Sequence, residues 1–293
     1  MREEVRQIQH MLEEQVYIAD AAIATSLYLS MVLGKPLLIE GPAGVGKTEI
    51  AKALANALNT KLIRLQCYEG LDATTALYEW NYPKQLLHLK LEESSTASEA
   101  EKEAVIFSEA FLLKRPLLQA ITEHDRAPVL LIDEVDRSDE EFEAFLLEVL
   151  SDYQVTIPEI GSIKATHRPH VVLTSNRSRD LSDALRRRCL YHWIDYPSLA
   201  KELEIVRAKV PDISETLSLQ LTRVMQATRT MNFSKIPGVA ETLDWANALA
   251  ALQAPELNEE IVAETVGCFL KDESDIAAFK AELPRICTDY TDV

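Results

Sequence analysis

The chain has 293 residues, 47% of them hydrophobic and 26% charged, the balance of an ordinary globular protein long enough for one or two domains. Its formal net charge of −17 argues against a surface coated in nucleic acid, because phosphate binding needs a Lys/Arg-rich face. Four scattered cysteines, Cys67, Cys189, Cys268 and Cys287, lack C-x-x-C spacing and read as reduced thiols, not as a zinc site or a disulfide framework. The opening MREEVRQIQHML lacks the apolar core of a signal peptide. The apolar stretch from Ala21 to Ile39 is broken by Gly34-Lys35-Pro36, so no membrane span is expected and the cytoplasm is the default compartment.

In chain order, IADAAIATSLYLSMVL reads as an apolar-rich helix stopped by Gly34. KPLLIEG is a short buried strand ended by a glycine turn. KTEIAKALANAL puts Ile50, Ala53, Leu54, Ala57 and Leu58 on one helical face. KLIRLQCYEG, VLLIDE, HVVLTSN and CLYHWIDYP supply four more strands, most of them separated by helical patterns. Such alternation predicts an α/β fold, with a parallel sheet covered on both faces.

Two segments break the rhythm. Tyr68 to Glu123 is long, with a polar middle, LEESSTASEAEKEA, and reads as a solvated excursion flanked by ordered pieces. Gln154 to Thr166 has two short alternating runs around PEIGS and predicts a β-hairpin before the fourth strand. After Pro197 no strand pattern follows. Leu203–Val210, Leu217–Thr230, Val239–Leu252 and Glu259–Leu270 read as helices, with Pro211, Pro237, Pro255 and Pro284 between or after them. These patterns place a domain boundary near Ser198: residues 1–198 form the α/β part, and 199–293 form an all-helical one.

GPAGVGKT, Gly41 to Thr48, matches G-x-x-x-x-G-K-[ST] between a strand and a helix, the context that motif requires. Gly41, Gly44 and Gly46 let the backbone curl so that its N–H groups face phosphates, and the next helix offers its positive end. The binding segment comprises Gly41, Pro42, Ala43, Gly44, Val45, Gly46, Lys47, Thr48 and Glu49. Lys47 is the residue for the β and γ phosphates of ATP, and Thr48 gives its hydroxyl to Mg²⁺. VLLIDE ends in two acids: Asp133 is the expected Mg²⁺ partner and Glu134 the group that polarises the attacking water. Asp136 reads as the start of the next turn. Asn176, ending LTSN, is placed beside the γ-phosphate to position that water.

ALRRRC puts Arg186, Arg187 and Arg188 together in an acidic chain. A helix end that favours cations accounts for such a trio. A phosphate within reach is the alternative.

Taken together, GPAGVGKTEIAKALANAL, LLIDE, the hairpin, TSN and a helix ending in arginines resemble the AAA+ ATPase superfamily. RLQCYEGLDATTALYEWNYPKQLL, FEAFLLEVLSDYQVTIPEIGSI, RRRCLYHWIDYP and PGVAETLDWANAL resemble its MoxR branch, and within it the CoxD-type proteins associated with maturation of molybdenum–copper carbon monoxide dehydrogenase. The likeness spans roughly residues 15–255. It implies an αβα nucleotide domain with a helix-2 insert inside 68–123, a pre-sensor hairpin at about 154–166 and a helical lid. It also implies a hexameric ring, a partner with a von Willebrand factor A domain, and an apo-metalloenzyme client.

The resemblance further implies that an arginine after the sensor strand reaches the phosphate held by the next subunit. That register falls on Arg188, with Arg187 the near alternative. The chain departs from the pattern in KIPGVAETLDW, which has no sensor-2 arginine; Lys235 and Thr242 are the polar residues nearest that place. Gln66 is placed to restrain Glu134 until a substrate engages. The aromatics of YEWNYP, Tyr78 to Pro83, either grip a client or pack the insert on the core, and packing is the better reading. The six histidines show no ligand spacing, so no metal besides Mg²⁺ is expected.

Overall fold

The structure is a computed structural model that describes residues 3–92 and 98–291. Its strands are β1 (Leu37–Glu40), β2 (Leu62–Gln66), β3 (Tyr78–Trp80), β4 (Leu112–Lys114), β5 (Val129–Asp133), β6 (Gln154–Ile157), β7 (Gly161–Lys164), β8 (His170–Ser175) and β9 (Leu190–Trp193). Five of them form the expected sheet, in the order β2-β5-β8-β1-β9, with β2, β5, β8 and β1 parallel. Every residue of β1 and β5 is buried, as strands covered on both faces require. β2 lies at the sheet edge, and it alternates: Ile63 and Leu65 point inward while Arg64 and Gln66 share the opposite face. The register sets Gln66 opposite Asp133 and Glu40 opposite Ser175, so the chemistry-bearing strand ends share one edge.

The chain divides into two compact units. The first takes the chain up to Ile8, Ala21–Glu40 and Ala51–His192; the second takes Gln9–Asp20, Gly41–Ile50 and the chain from Trp193 onward. The first unit packs β2, β5 and β8 against Leu117, Leu118, Phe142, Leu146 and Leu185. Its hairpin β6–β7 is antiparallel and falls where the alternation predicts it. The excursion contains the antiparallel pair β3–β4 and the helices Tyr82–Leu91 and Glu99–Ile106; residues 93–97 of its polar middle lie outside the described residues. Trp80 is buried and meets Phe107 edge-on at 5.2 Å, so it serves packing, whereas Tyr82 is exposed.

The second unit has helices Leu199–Lys209, Glu215–Arg229, Val239–Ala251, Glu259–Thr265 and Glu273–Thr291 around Trp245, Phe269 and Phe279. The expected helix to Leu270 stops at Thr265, and a 3-10 turn, Val266–Cys268, takes over. Pro284 lies inside Glu273–Thr291 rather than after the last helix. Phe279, Leu283 and Ile286 are buried on either side of it, and this packing outweighs the interior proline's penalty of about 3 kcal/mol. No helix of the described residues is long and apolar enough to cross a membrane.

Candidate active site

In the second unit, the glycine loop runs from Gly41 directly into helix Lys47–Ala57. A Cβ on Gly41 would sit 2.0 Å from the Ile194 carbonyl oxygen, so only glycine fits. Gly44 and Gly46 take left-handed φ values of 75° and 93°, which curl the backbone as the motif predicts. Lys47 is buried, and its Nζ donates to the carbonyls of Gly41 (2.8 Å) and Pro42 (2.6 Å), which fixes the ammonium at the loop. Glu49 sets its carboxylate 3.6 Å from Lys209 Nζ. The Gly44 carbonyl accepts from the Ala240 N–H at 3.0 Å, so the start of helix Val239–Ala251 abuts the loop. Thr242 is fully buried, donates to Glu202 at 2.7 Å and accepts from Arg229 at 3.0 Å. Lys235 is exposed, and its backbone N–H donates to Asp275.

In the first unit, β5 delivers Asp133 and Glu134 at its carboxyl end. Asp133 is 3% exposed: Thr174 Oγ1 donates to Oδ1 at 2.5 Å, and Arg64 donates to Oδ2 from Nε (3.1 Å) and Nη2 (2.6 Å). Glu134 sits in the left-handed region at φ 53°, an uncommon place for a side-chain-bearing residue. Its N–H donates to Thr174 Oγ1 at 2.9 Å, so one hydroxyl anchors both acids. The Glu134 carboxylate accepts from Gln66 Nε2 at 3.2 Å and pairs with Arg137 Nε at 2.8 Å. Gln66 therefore stands where the sequence places it. Beneath the acids, burial pushes the Cys67 thiol up to about 12, helped by the charges of Asp133, Asp136 and Glu134.

Asn176 follows β8, half-buried, with its backbone N–H on Asp136 Oδ1 at 3.2 Å. Asp136 is 2% exposed and also accepts from Ser178 N–H (2.8 Å) and Oγ (2.7 Å). It therefore does more than open a turn: it clamps the loop that carries Asn176. The arginines occupy the last turn of helix Asp183–Arg188. Arg186 pairs with Glu40, while Arg187 and Arg188 are exposed, with no side-chain partner among the described residues. Arg188 lines a cavity of about 370 Å³ with Lys35, Arg168 and Tyr153.

Sequence reasoning missed Thr174, Arg64 and Glu40. The signals were present: Thr174 lies two residues before Asn176, Arg64 shares the strand face of Gln66, and Glu40 is the acid that ends an otherwise apolar strand.

The AAA domain (dynein-related subfamily) pattern matches residues 36–189. An uncharacterized protein of Staphylococcus haemolyticus is 23% identical over 282 residues, covering 92% of this chain and 97% of the relative. An uncharacterized protein of Staphylococcus aureus is 29% identical over 171 residues, which span 56% of this chain and 57% of that relative. Among solved structures, a candidate ATPase from Cytophaga hutchinsonii matches with a TM-score of 0.50 at 17% identity, covering 94% of this chain and 85% of that one. A lysine-to-arginine mutant of RuvB from Thermotoga maritima matches with a TM-score of 0.50 at 18% identity, covering 94% and 81%. At such identities the likeness shows the fold alone.

Proposed function

The chain belongs to the AAA-domain family, dynein-related subfamily, and from that premise we propose that it is an Mg²⁺-dependent ATPase that works as a hexameric ring and remodels a protein client. The observation that carries this reading is the pair of carboxylates ending β5. One is buried and accepts three hydrogen bonds, from Thr174 and Arg64; the other is partly exposed, its backbone fixed and its carboxylate restrained.

The donor set suits the ion. Thr48 and Asp133 offer hard oxygen ligands, and the described residues hold no cluster of three or more His, Cys, Asp or Glu that would cage a metal unaided. Mg²⁺ is typically held by one or two such groups together with phosphates and water. When bound, the ion neutralises charge on the β- and γ-phosphate oxygens. Lys47 adds a second positive charge from the loop, and the loop's N–H groups cradle the phosphates.

In the reaction a water oxygen bonds to the γ-phosphorus as the bond from that phosphorus to the bridging oxygen breaks, giving ADP and phosphate. Glu134 takes the water's proton, and Asn176 orients the water. An arginine of the neighbouring copy, Arg188 or else Arg187, neutralises the developing charge, a role worth roughly 10³–10⁵ in rate. Because Gln66 and Arg137 both engage Glu134, basal turnover is slow until a client binds; a nucleotide-gated scaffold that binds ATP and scarcely turns it over is the alternative.

The MoxR and CoxD-type likeness supports an apo-metalloenzyme client of the molybdenum–copper carbon monoxide dehydrogenase type and a partner with a von Willebrand factor A domain. A different client of a MoxR-type ATPase is the alternative. The RuvB likeness does not extend to a DNA substrate here, because a net charge of −17 opposes it; a salt-dependent DNA shift would reverse that view. The test of the ATPase reading is specific activity against protein concentration. Activity climbs with concentration, Arg188→Ala and Glu134→Gln are each inactive, and their mixture recovers part of the rate. Full activity of Arg188→Ala and Arg187→Ala at every concentration refutes the shared site.

A further inference from the structure

Glu40 ends β1 one residue before the glycine loop, and its side chain is wholly buried. By position it belongs with the phosphate site, but its contacts lead elsewhere. Oε1 accepts from Arg186 Nη2 at 3.1 Å, Oε2 accepts from the Tyr191 hydroxyl at 3.1 Å, and Arg177 Nε lies 3.8 Å from Oε2. Arg186 sits in the last turn of the arginine helix. Arg177 directly follows Asn176 and takes a left-handed φ of 56°. Tyr191 lies on β9, just beyond that helix.

A carboxylate buried to this degree is costly unless cations and donors surround it, as they do here. Glu40 thus pins Arg186 and holds the end of its helix to the sheet. The next two residues on the helix, each turned about 100° further, are left unpaired. Arg188 stands beside Gly34, Lys35 and Pro36, where β1 begins, whereas Glu40 holds Arg186 where β1 ends. The trio is therefore divided: one arginine is an anchor, and two are free to serve another molecule.

We propose that Glu40 is a positioning residue for the arginines that this chain offers to a second copy, and not for the phosphate loop it adjoins in sequence. This rests on the reading of a site shared between copies. It assigns Glu40 to the donor face of that site.

Complementation between variants of the full chain tests the assignment. Glu40→Gln keeps the shape and removes the charge. Fluorescent-ATP affinity is expected to stay within about twofold of wild type, while turnover falls on the order of 10²-fold, the usual consequence of misplacing a reacting group. Mixed with Glu134→Gln, which still offers intact arginines, Glu40→Gln recovers activity; in a statistical mixture roughly a quarter of the interfaces pair an intact donor with an intact acceptor. Mixed with Arg188→Ala, it recovers none, because both lack a working donor face.

The reverse pattern, rescue by Arg188→Ala and not by Glu134→Gln, overturns the proposal, as does loss of ATP binding. Arg186→Gln approaches the pair from its other side. It gives the same complementation pattern if the assignment holds, and full turnover of this variant overturns it should Glu40→Gln fail to fold. If the control mixture of Arg188→Ala with Glu134→Gln stays inactive, the shared-site reading fails, and the proposal falls with it.

Discussion

Arg64 grips Asp133 through a single carboxylate oxygen, with Nε at 3.1 Å and Nη2 at 2.6 Å both directed at Oδ2. The other oxygen accepts from Thr174. A guanidinium so placed competes with a divalent cation for the same charge, and at 3% exposure Asp133 has little solvent to share it with. Arg64→Gln is therefore expected to lower, by about three- to tenfold, the Mg²⁺ concentration for half-maximal binding of fluorescent ATP. A shift the other way would mean that Arg64 orients Asp133 rather than competing for it.

The same guanidinium fixes Gln66. Arg64 Nη2 donates to Gln66 Oε1 at 2.6 Å, which leaves the amide nitrogen to face Glu134 at 3.2 Å. A carboxylate occupied by a donor is less free to take a proton from water. Gln66→Ala should raise basal phosphate release by about two- to tenfold with ATP affinity unchanged, while Glu134→Gln binds ATP and releases no phosphate. Unchanged basal turnover in Gln66→Ala would remove the restraint from the mechanism.

These relationships divide what the sequence made legible from what it did not. Val129–Asp133 reads as a buried strand and Gly41–Thr48 as a phosphate loop because each signal is local: an apolar run, or a fixed spacing of glycine and lysine. Gln66 ends a strand, but it was the AAA+ resemblance, and not any spacing, that set it against Glu134, 68 residues away. Thr174, Arg64 and Glu40 were not, because their partners lie 41, 69 and 146 residues away and meet only through sheet order or the return of the arginine helix. The sheet order β2-β5-β8-β1-β9 is a tertiary fact that no window of sequence carries. Pro284 misled for the opposite reason: its local rule is sound, and buried neighbours override it.

In the second unit, Glu202 and Arg229 form a buried two-pronged pair, with Nη1 at 2.5 Å from Oε2 and Nη2 at 2.6 Å from Oε1. Gln226 and Thr242 donate to the same carboxylate. Breaking such a pair from one side strands the other charge, so Glu202→Ala should cost about 3–5 kcal/mol in urea unfolding. Replacing both, as Glu202→Leu with Arg229→Met, should cost much less than either single change. A double variant that loses the sum of the two would show the pair to be two independent contacts.

Thiol ionisation gives the fold an alkaline limit. Burial pushes both Cys67 and Cys189 up to about 12, against about 8.5 for a free thiol. The unfolded chain loses these protons first, so the stability they contribute is full below about pH 8.5 and declines as pH rises toward 12. The urea midpoint should fall between pH 8 and pH 10, and by less in a Cys67→Ala, Cys189→Ala double variant compared over the same interval. Equal slopes for the two proteins would exclude these thiols as the cause.

Gly238 sets how closely the helical segment can approach the phosphate loop inside the second unit. A Cβ there would lie 2.8 Å from the Ala43 carbonyl oxygen and from the backbone of Gly44, none of which is a side chain able to swing aside. The Ala240 N–H on the Gly44 carbonyl depends on that approach. Gly238→Ala should therefore displace the loop and weaken fluorescent-ATP binding by about tenfold or more, with an overpacking cost of about 1–3 kcal/mol. Gly267→Ala is the matched control, because a Cβ at Gly267 meets nothing within 4 Å. Should both variants bind ATP alike, the glycine contact would be incidental. Loss in Gly238→Ala alone would tie the loop's shape to the helix that follows residue 238.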